Sequence, residues 1–233
     1  MLSFNFKNLA MMIGVIYVIL ITLIDHHKLF WVDYLYTTCL GLYYYRETGS
    51  FNGMLVLLFA LSCAMETQFI FGFEENYTGV MVFAILVFIL LCIMLVPLAR
   101  ETKISFKDVD LISSILGTVG MGYVLGYLVH LLLPLVPEPR MLILAIVPFC
   151  TMMLMMIFIP VFNTKINNFN LVITGGAILV LILSACITEF LFESYTLLLS
   201  SYLGSLMFKI VFVIFLINRF KQQNENLEEP KRL

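Results

Sequence analysis

Long apolar runs alternate with short polar breaks along nearly the whole chain. The runs cover about residues 8–24, 30–45, 51–71, 77–97, 110–133, 140–162, 171–190 and 196–219. Most approach the roughly 20 residues that a helix needs to cross the hydrocarbon core of a bilayer. They are continuous, whereas barrel strands would alternate over about ten residues. Helices also satisfy every backbone donor within the segment, as a bilayer demands. The expected fold is therefore all-α: a polytopic integral membrane bundle of eight transmembrane helices, one domain over residues 1–220. The polar tail, 221–233, has no apolar periodicity and reads as disordered.

The breaks fall where backbone chemistry favours them. Residues 46–50, 74–76 and 163–170 are polar and turn-like, and Pro134, Pro137 and Pro139 crowd the fifth junction. Proline removes a donor and clashes with the preceding turn, so it ends helices. The first run could be taken for a secretory leader. It has no ordinary small-residue cleavage site and further spans follow, so it counts as the first helix.

Basic residues set the orientation. With eight crossings, one side holds Lys7, Arg46, Arg100, Lys103, Lys107, Lys165, Arg219, Lys221, Lys231 and Arg232, and the other holds Lys28 and Arg140. Lys209 lies inside the last span. That asymmetry places the N and C termini in the cytoplasm, with Asp25, Glu74, Glu75 and Glu138 on the opposite side.

Composition agrees. The 233 residues are 62% hydrophobic and 12% charged, with a mean hydropathy of +1.04. Soluble domains carry about 45–50% apolar and roughly 25% charged residues, which argues against a soluble enzyme. The formal charge of −2 has no basic stripe, so no nucleic-acid partner is expected. Cys39, Cys63, Cys92, Cys150 and Cys186 all lie in apolar stretches without metal-ligand spacing and read as small hydrophobes.

Ionisable groups at membrane depth carry the functional signal, because they are costly in lipid and face interiors or cavities. Glu66 lies late in the third span and Glu189 at the end of the seventh, at similar depth in the non-cytoplasmic half. Ser62 lies one turn before Glu66 on the same face, and Thr188 directly precedes Glu189. Glu193 continues the Glu189 face. Asp33, Tyr34 and Tyr36 open the second span, and His130 closes the fifth. Tyr202 and Ser205 share a face of the eighth. Two carboxyls in a low-dielectric pocket can divide acid and base roles. The competing expectation is that both acids only bond neighbouring helices.

Other features read as structural. Gly117, Gly120, Gly122 and Gly126 suggest close helix packing, Gly122 and Gly126 at small-x-x-x-small spacing. Met152, Met153, Met155 and Met156 read as gap fillers. His26 and His27 with Asp33 lack a metal-binding pattern, so neither metal nor cofactor is expected. Tyrosines at span ends fit an aromatic belt.

The chain resembles the YhhN family of eight-helix membrane proteins, which includes lysoplasmalogenases. Ser62-Cys63-Ala64-Met65-Glu66 is similar to the family's span-three signature, with glutamate in the aspartate's place. Ile187-Thr188-Glu189 resembles its late Ser-Asp signature, again with glutamate. Ser201-Tyr202-Leu203-Gly204-Ser205 resembles a tyrosine-rich final span, with serine where glutamine would stand. Thr37-Thr38 resembles threonines that follow a Lys-Pro pair, which is absent here, as is the family's span-four histidine.

The resemblance implies a hydrolase in a bacterial inner membrane that cleaves the vinyl-ether bond of a lysoplasmalogen-like lysolipid. The products would be a fatty aldehyde and a glycerophospho head group. It implies Glu66 and Glu189 as the catalytic pair, with Ser62, Thr188, Tyr202, Ser205, Asp33 and His130 around the substrate. The alternative is a non-catalytic protein that binds, transports or scaffolds membrane lipid. Headgroup transfer through Mg²⁺ would need a cluster of oxygen ligands, and no Asp-x-x-Asp occurs in a span.

Overall fold

The structure, a computed structural model, describes residues 5–24, 29–102, 111–162, 169–192 and 194–228. These residues form eight helices and no strands: α1 (Phe6–Leu23), α2 (Phe30–Thr48), α3 (Gly53–Ile70), α4 (Tyr77–Glu101), α5 (Leu111–Leu132), α6 (Pro139–Phe162), α7 (Phe169–Phe190) and α8 (Tyr195–Glu228). Among the described residues six of them, α1, α3, α4, α6, α7 and α8, are long and apolar enough to cross a membrane. The chain is a multi-pass integral membrane protein. α2 falls short because it carries Asp33, Arg46 and Glu47 beside five tyrosines.

Local chemistry sets the helix ends. Asn5 and Asn52 cap α1 and α3 by accepting bonds from Lys7 N and Leu55 N, each at 3.1 Å, so a side chain satisfies one of the first free donors. α2 ends on Gly49 at φ 64°, the left-handed turn that glycine adopts without penalty. α6 starts on Pro139, where a missing N–H costs nothing.

Two stretches run further than the sequence predicts. α4 passes through Pro97 to Glu101; one lost donor does not end a helix that its neighbours hold on both sides. α8 continues through the polar tail to Glu228 rather than dissolving after residue 220. Its composition has no helix breaker before Pro230, and Lys221 Nζ bonds Glu47 Oε2 at 2.6 Å, tying that turn to the end of α2.

Successive helices run in opposite directions. At one end Arg219 meets Glu101 at 3.2 Å, Lys221 meets Glu47, and the Arg46 guanidinium lies 6.0 Å from the Phe6 ring. This end gathers the start of α1 and the ends of α2, α4 and α8. At the other, the Phe30 and Phe71 rings lie 5.7 Å apart and those of Phe73 and Phe190 5.3 Å apart, joining the start of α2 to the ends of α3 and α7. A small apolar cluster of Phe73, Tyr77, Val80, Leu132 and Val136 adds the end of α5.

α8 packs against α7, α2 and α1. Its closest approach is at Gly204, where an added Cβ would lie 2.8 Å from the Ala177 carbonyl oxygen and 2.9 Å from Leu181 N. Of the α5 glycines expected to mediate packing, Gly120, Gly122 and Gly126 do not: added Cβ atoms there would meet nothing within 4 Å, while Gly117 lies outside the described side chains. Close small-residue packing is realised on the last helix instead.

Candidate functional site

Asp33, Glu66 and Lys209 meet inside the bundle, brought by α2, α3 and α8. Asp33 lies in the first turn of α2, on a buried face shared with Tyr36, Thr37 and Leu40. Glu66 lies one turn after buried Ser62 on α3. Lys209 follows Tyr202 and Ser205 along one face of α8, at helical spacings of seven and four. A helical side chain leans toward the N-terminus of its own helix. That lean carries the ammonium back over Ser205 toward the two acids.

The geometry is close. Lys209 Nζ donates to Asp33 Oδ1 and Oδ2, both at 2.7 Å, and lies 3.0 Å from Glu66 Oε1. Both hydrogen bonds of the ammonium go to Asp33, and Glu66 completes the cluster as an ion pair. Ser205 Oγ donates to the same Glu66 Oε1 at 2.5 Å, and the Glu66 and Asp33 carboxyls meet on the same ammonium. Lys209 is fully buried, Asp33 is 3% exposed and the Glu66 side chain 13%. Two carboxyls against one ammonium make a neutral group when they hold one proton between them.

Glu66 opens into a cavity of about 190 Å³. Ser62, Glu66, Ser201, Tyr202 and Ser205 make its polar end; every other lining residue is aliphatic, aromatic, Met or Cys, from α3 to α8. Ser201 Oγ bonds the Leu198 carbonyl at 2.7 Å. The Ser62 and Tyr202 hydroxyls are buried and have no hydrogen-bond partner among the described residues, an arrangement that native interiors largely avoid. Tyr17 backs Tyr202 edge-on, its ring centre 5.7 Å away, and Tyr36 Oη bonds the Leu206 carbonyl at 2.8 Å.

A second hollow, an open groove between α2 and α3, reaches the cluster from the other side. It is lined in part by Tyr34, Thr37, Thr38, Ser50 and Cys63. Cys63 Sγ lies 3.5 Å from Asp33 Oδ2 and 3.7 Å from Thr37 Oγ1. Ser62 and Cys63, consecutive on α3, thus face different hollows, with the charged cluster between them.

Of the residues singled out by sequence, Glu66, Ser62, Tyr202 and Ser205 share the cavity, and Asp33 stands behind it, held by Lys209. Glu189 and Thr188 do not line the cavity: they lie half-buried one turn beyond its lining residues Ala185 and Cys186. The acid beside Glu66 is therefore Asp33. His130 is exposed on α5, although Leu128, Val129 and Leu132 of that helix line the cavity. Glu193, His26 and His27 lie outside the described residues. Among the described residues no group of three potential ligands could hold a metal ion.

Lys209 is the member of this cluster that sequence reasoning left aside. Its signal was present: a lysine inside a span requires a counter-charge, and it shares a face with Tyr202 and Ser205. Comparison with known proteins adds no assignment, since no family model, no curated protein and no solved structure matches this chain.

Proposed function

We propose that this protein is a membrane hydrolase of single-chain ether lipids, acting on the vinyl-ether bond of lysoplasmalogen-like substrates. It has eight spans and cytoplasmic termini in a bacterial inner membrane. Positively charged Arg46, Arg219 and Lys221 gathered at one end, and the alternating helix directions, support the orientation. The resemblance of the Ser62–Glu66 and Ile187–Glu189 segments to the YhhN family supports the membrane and the reaction.

The observation that carries the reading is Glu66: its carboxyl opens into an apolar cavity, yet is oriented by Ser205 and Lys209. Such a cavity accepts a hydrocarbon chain and leaves few polar groups to fix its reactive end. Glu66 donates the proton it shares with Asp33 to the outer alkene carbon of the vinyl ether. Water adds to the resulting oxocarbenium carbon and returns a proton to the carboxylate. The hemiacetal then collapses to aldehyde and free alcohol. Lys209 positions Glu66 and balances its charge as the proton leaves and returns; Asp33 orients Lys209.

Aldehyde release from a lysoplasmalogen by the purified protein tests this. Release is expected from the natural chain and lost on Glu66→Gln; unchanged release in that variant overturns the assignment.

A second reading, lipid binding or scaffolding without bond cleavage, is favoured by the full burial of Lys209 between two carboxyls, which suits a purely structural ion cluster. It predicts lipid recovered intact from the purified protein and no aldehyde.

A further inference from the structure

The polar end of the cavity is chemically selective. Glu66 offers an acceptor, while the buried Ser62 and Tyr202 hydroxyls offer donors that no described residue uses. A hydroxyl on a ligand can donate to Glu66 and accept from Ser62 or Tyr202, which would satisfy all three kinds of group. Buried polar groups left unmatched are costly, so such a ligand gains where an alkane does not.

An anion gains far less. Among the described residues no Lys, Arg or His lines the cavity. The one ammonium nearby is fully buried behind the cavity lining, donates to both oxygens of Asp33 and is ion-paired with Glu66. A phosphate entering this end would lie against a carboxyl in an apolar surround without a counter-ion, and an unpaired buried charge is strongly disfavoured.

We infer that the polar end of this cavity binds the uncharged hydroxyls of a monoalkylglycerol-type lipid, with the chain along the apolar walls, and excludes a phosphate. The inference narrows the substrate class of the hydrolase reading to neutral glyceryl ethers over their phosphate-bearing counterparts. The binding itself does not require that a bond be broken.

The test uses 1-O-hexadecylglycerol, a saturated ether that vinyl-ether chemistry cannot cleave, and its 3-phosphate. Each is titrated into the purified full chain in nanodiscs and followed by native mass spectrometry. The expected result is one alkylglycerol per chain, bound at least tenfold tighter than the phosphate. Tyr202→Phe and Ser62→Ala should each weaken the alkylglycerol several-fold. Both variants remove only a hydroxyl that makes no bond within the protein, so folding is retained and is checked by thermal unfolding. Equal or tighter binding of the phosphate, or unchanged binding in both variants, overturns the inference. Loss of alkylglycerol selectivity with aldehyde release intact overturns this inference alone; selective binding with no aldehyde released from either a lysoplasmalogen or a neutral 1-O-alkenylglycerol upholds it and overturns the hydrolase.

Discussion

Both carboxylate oxygens of Asp33 accept hydrogen bonds from the ammonium of Lys209 at 2.7 Å, across 176 positions of sequence. The contact joins the first turn of α2 to the middle of α8 and leaves the lysine with a single further contact, to Glu66. Stability and chemistry consequently meet in one cluster, and variants separate them.

Removing one member of a buried pair leaves an uncompensated charge, which costs about 3–5 kcal/mol. Lys209→Met should therefore lower the midpoint of thermal unfolding in detergent substantially. Combining it with Asp33→Asn and Glu66→Gln removes every charge of the cluster and should recover much of that loss. A triple variant no more stable than Lys209→Met would show that the charges are not the source of the effect.

The two glutamates should behave differently in the aldehyde assay. A general acid contributes about 10²- to 10⁴-fold, so Glu66→Gln should reduce turnover by at least a hundredfold. Glu189→Gln, at a residue outside the cavity lining, should stay within tenfold of the natural chain. The reverse order would transfer the catalytic role to α7.

Gly204 has backbone, not flexible side chain, where a Cβ would go. Overpacking typically costs about 1–3 kcal/mol, so Gly204→Ala should visibly lower the unfolding midpoint. Gly120→Ala, with open space around it, should be nearly neutral. Comparison of the two melting curves checks both statements.

The ion pairs at the other end of α8 should matter little. Lys221 and Glu47 are both largely exposed, and exposed pairs contribute about 0–1 kcal/mol. Glu47→Ala should leave the melting curve almost unchanged, in contrast with the buried lysine.

Helix positions were legible because apolar runs, short polar breaks and Pro134, Pro137 and Pro139 act locally, on residues a few positions away. The Ser62–Glu66 face and the Tyr202–Ser205 face were legible for the same reason, since helical spacing fixes which side chains share a side. The joining of those faces was not. Whether Glu66 meets Asp33 or Glu189 depends on which helices are neighbours, and an apolar surface packs on many partners with similar energy. Similar membrane depth drew attention to Glu189, but depth says nothing about rotation or position around the bundle. The α5 glycines illustrate the converse: a spacing that permits close approach does not supply the helix that would approach.

The late arrival of Lys209 bears on how the protein is made. Ribosomes add about 5–20 residues per second, so Asp33 enters the bilayer roughly 9–35 s before its counter-ion is synthesised. During that interval the second and third spans carry acids with no lysine to meet them. Completion of the last helix is thus the event that converts a set of inserted segments into a matched assembly, and a ribosome stalled before it would leave a product marked for quality control by two unmet acids.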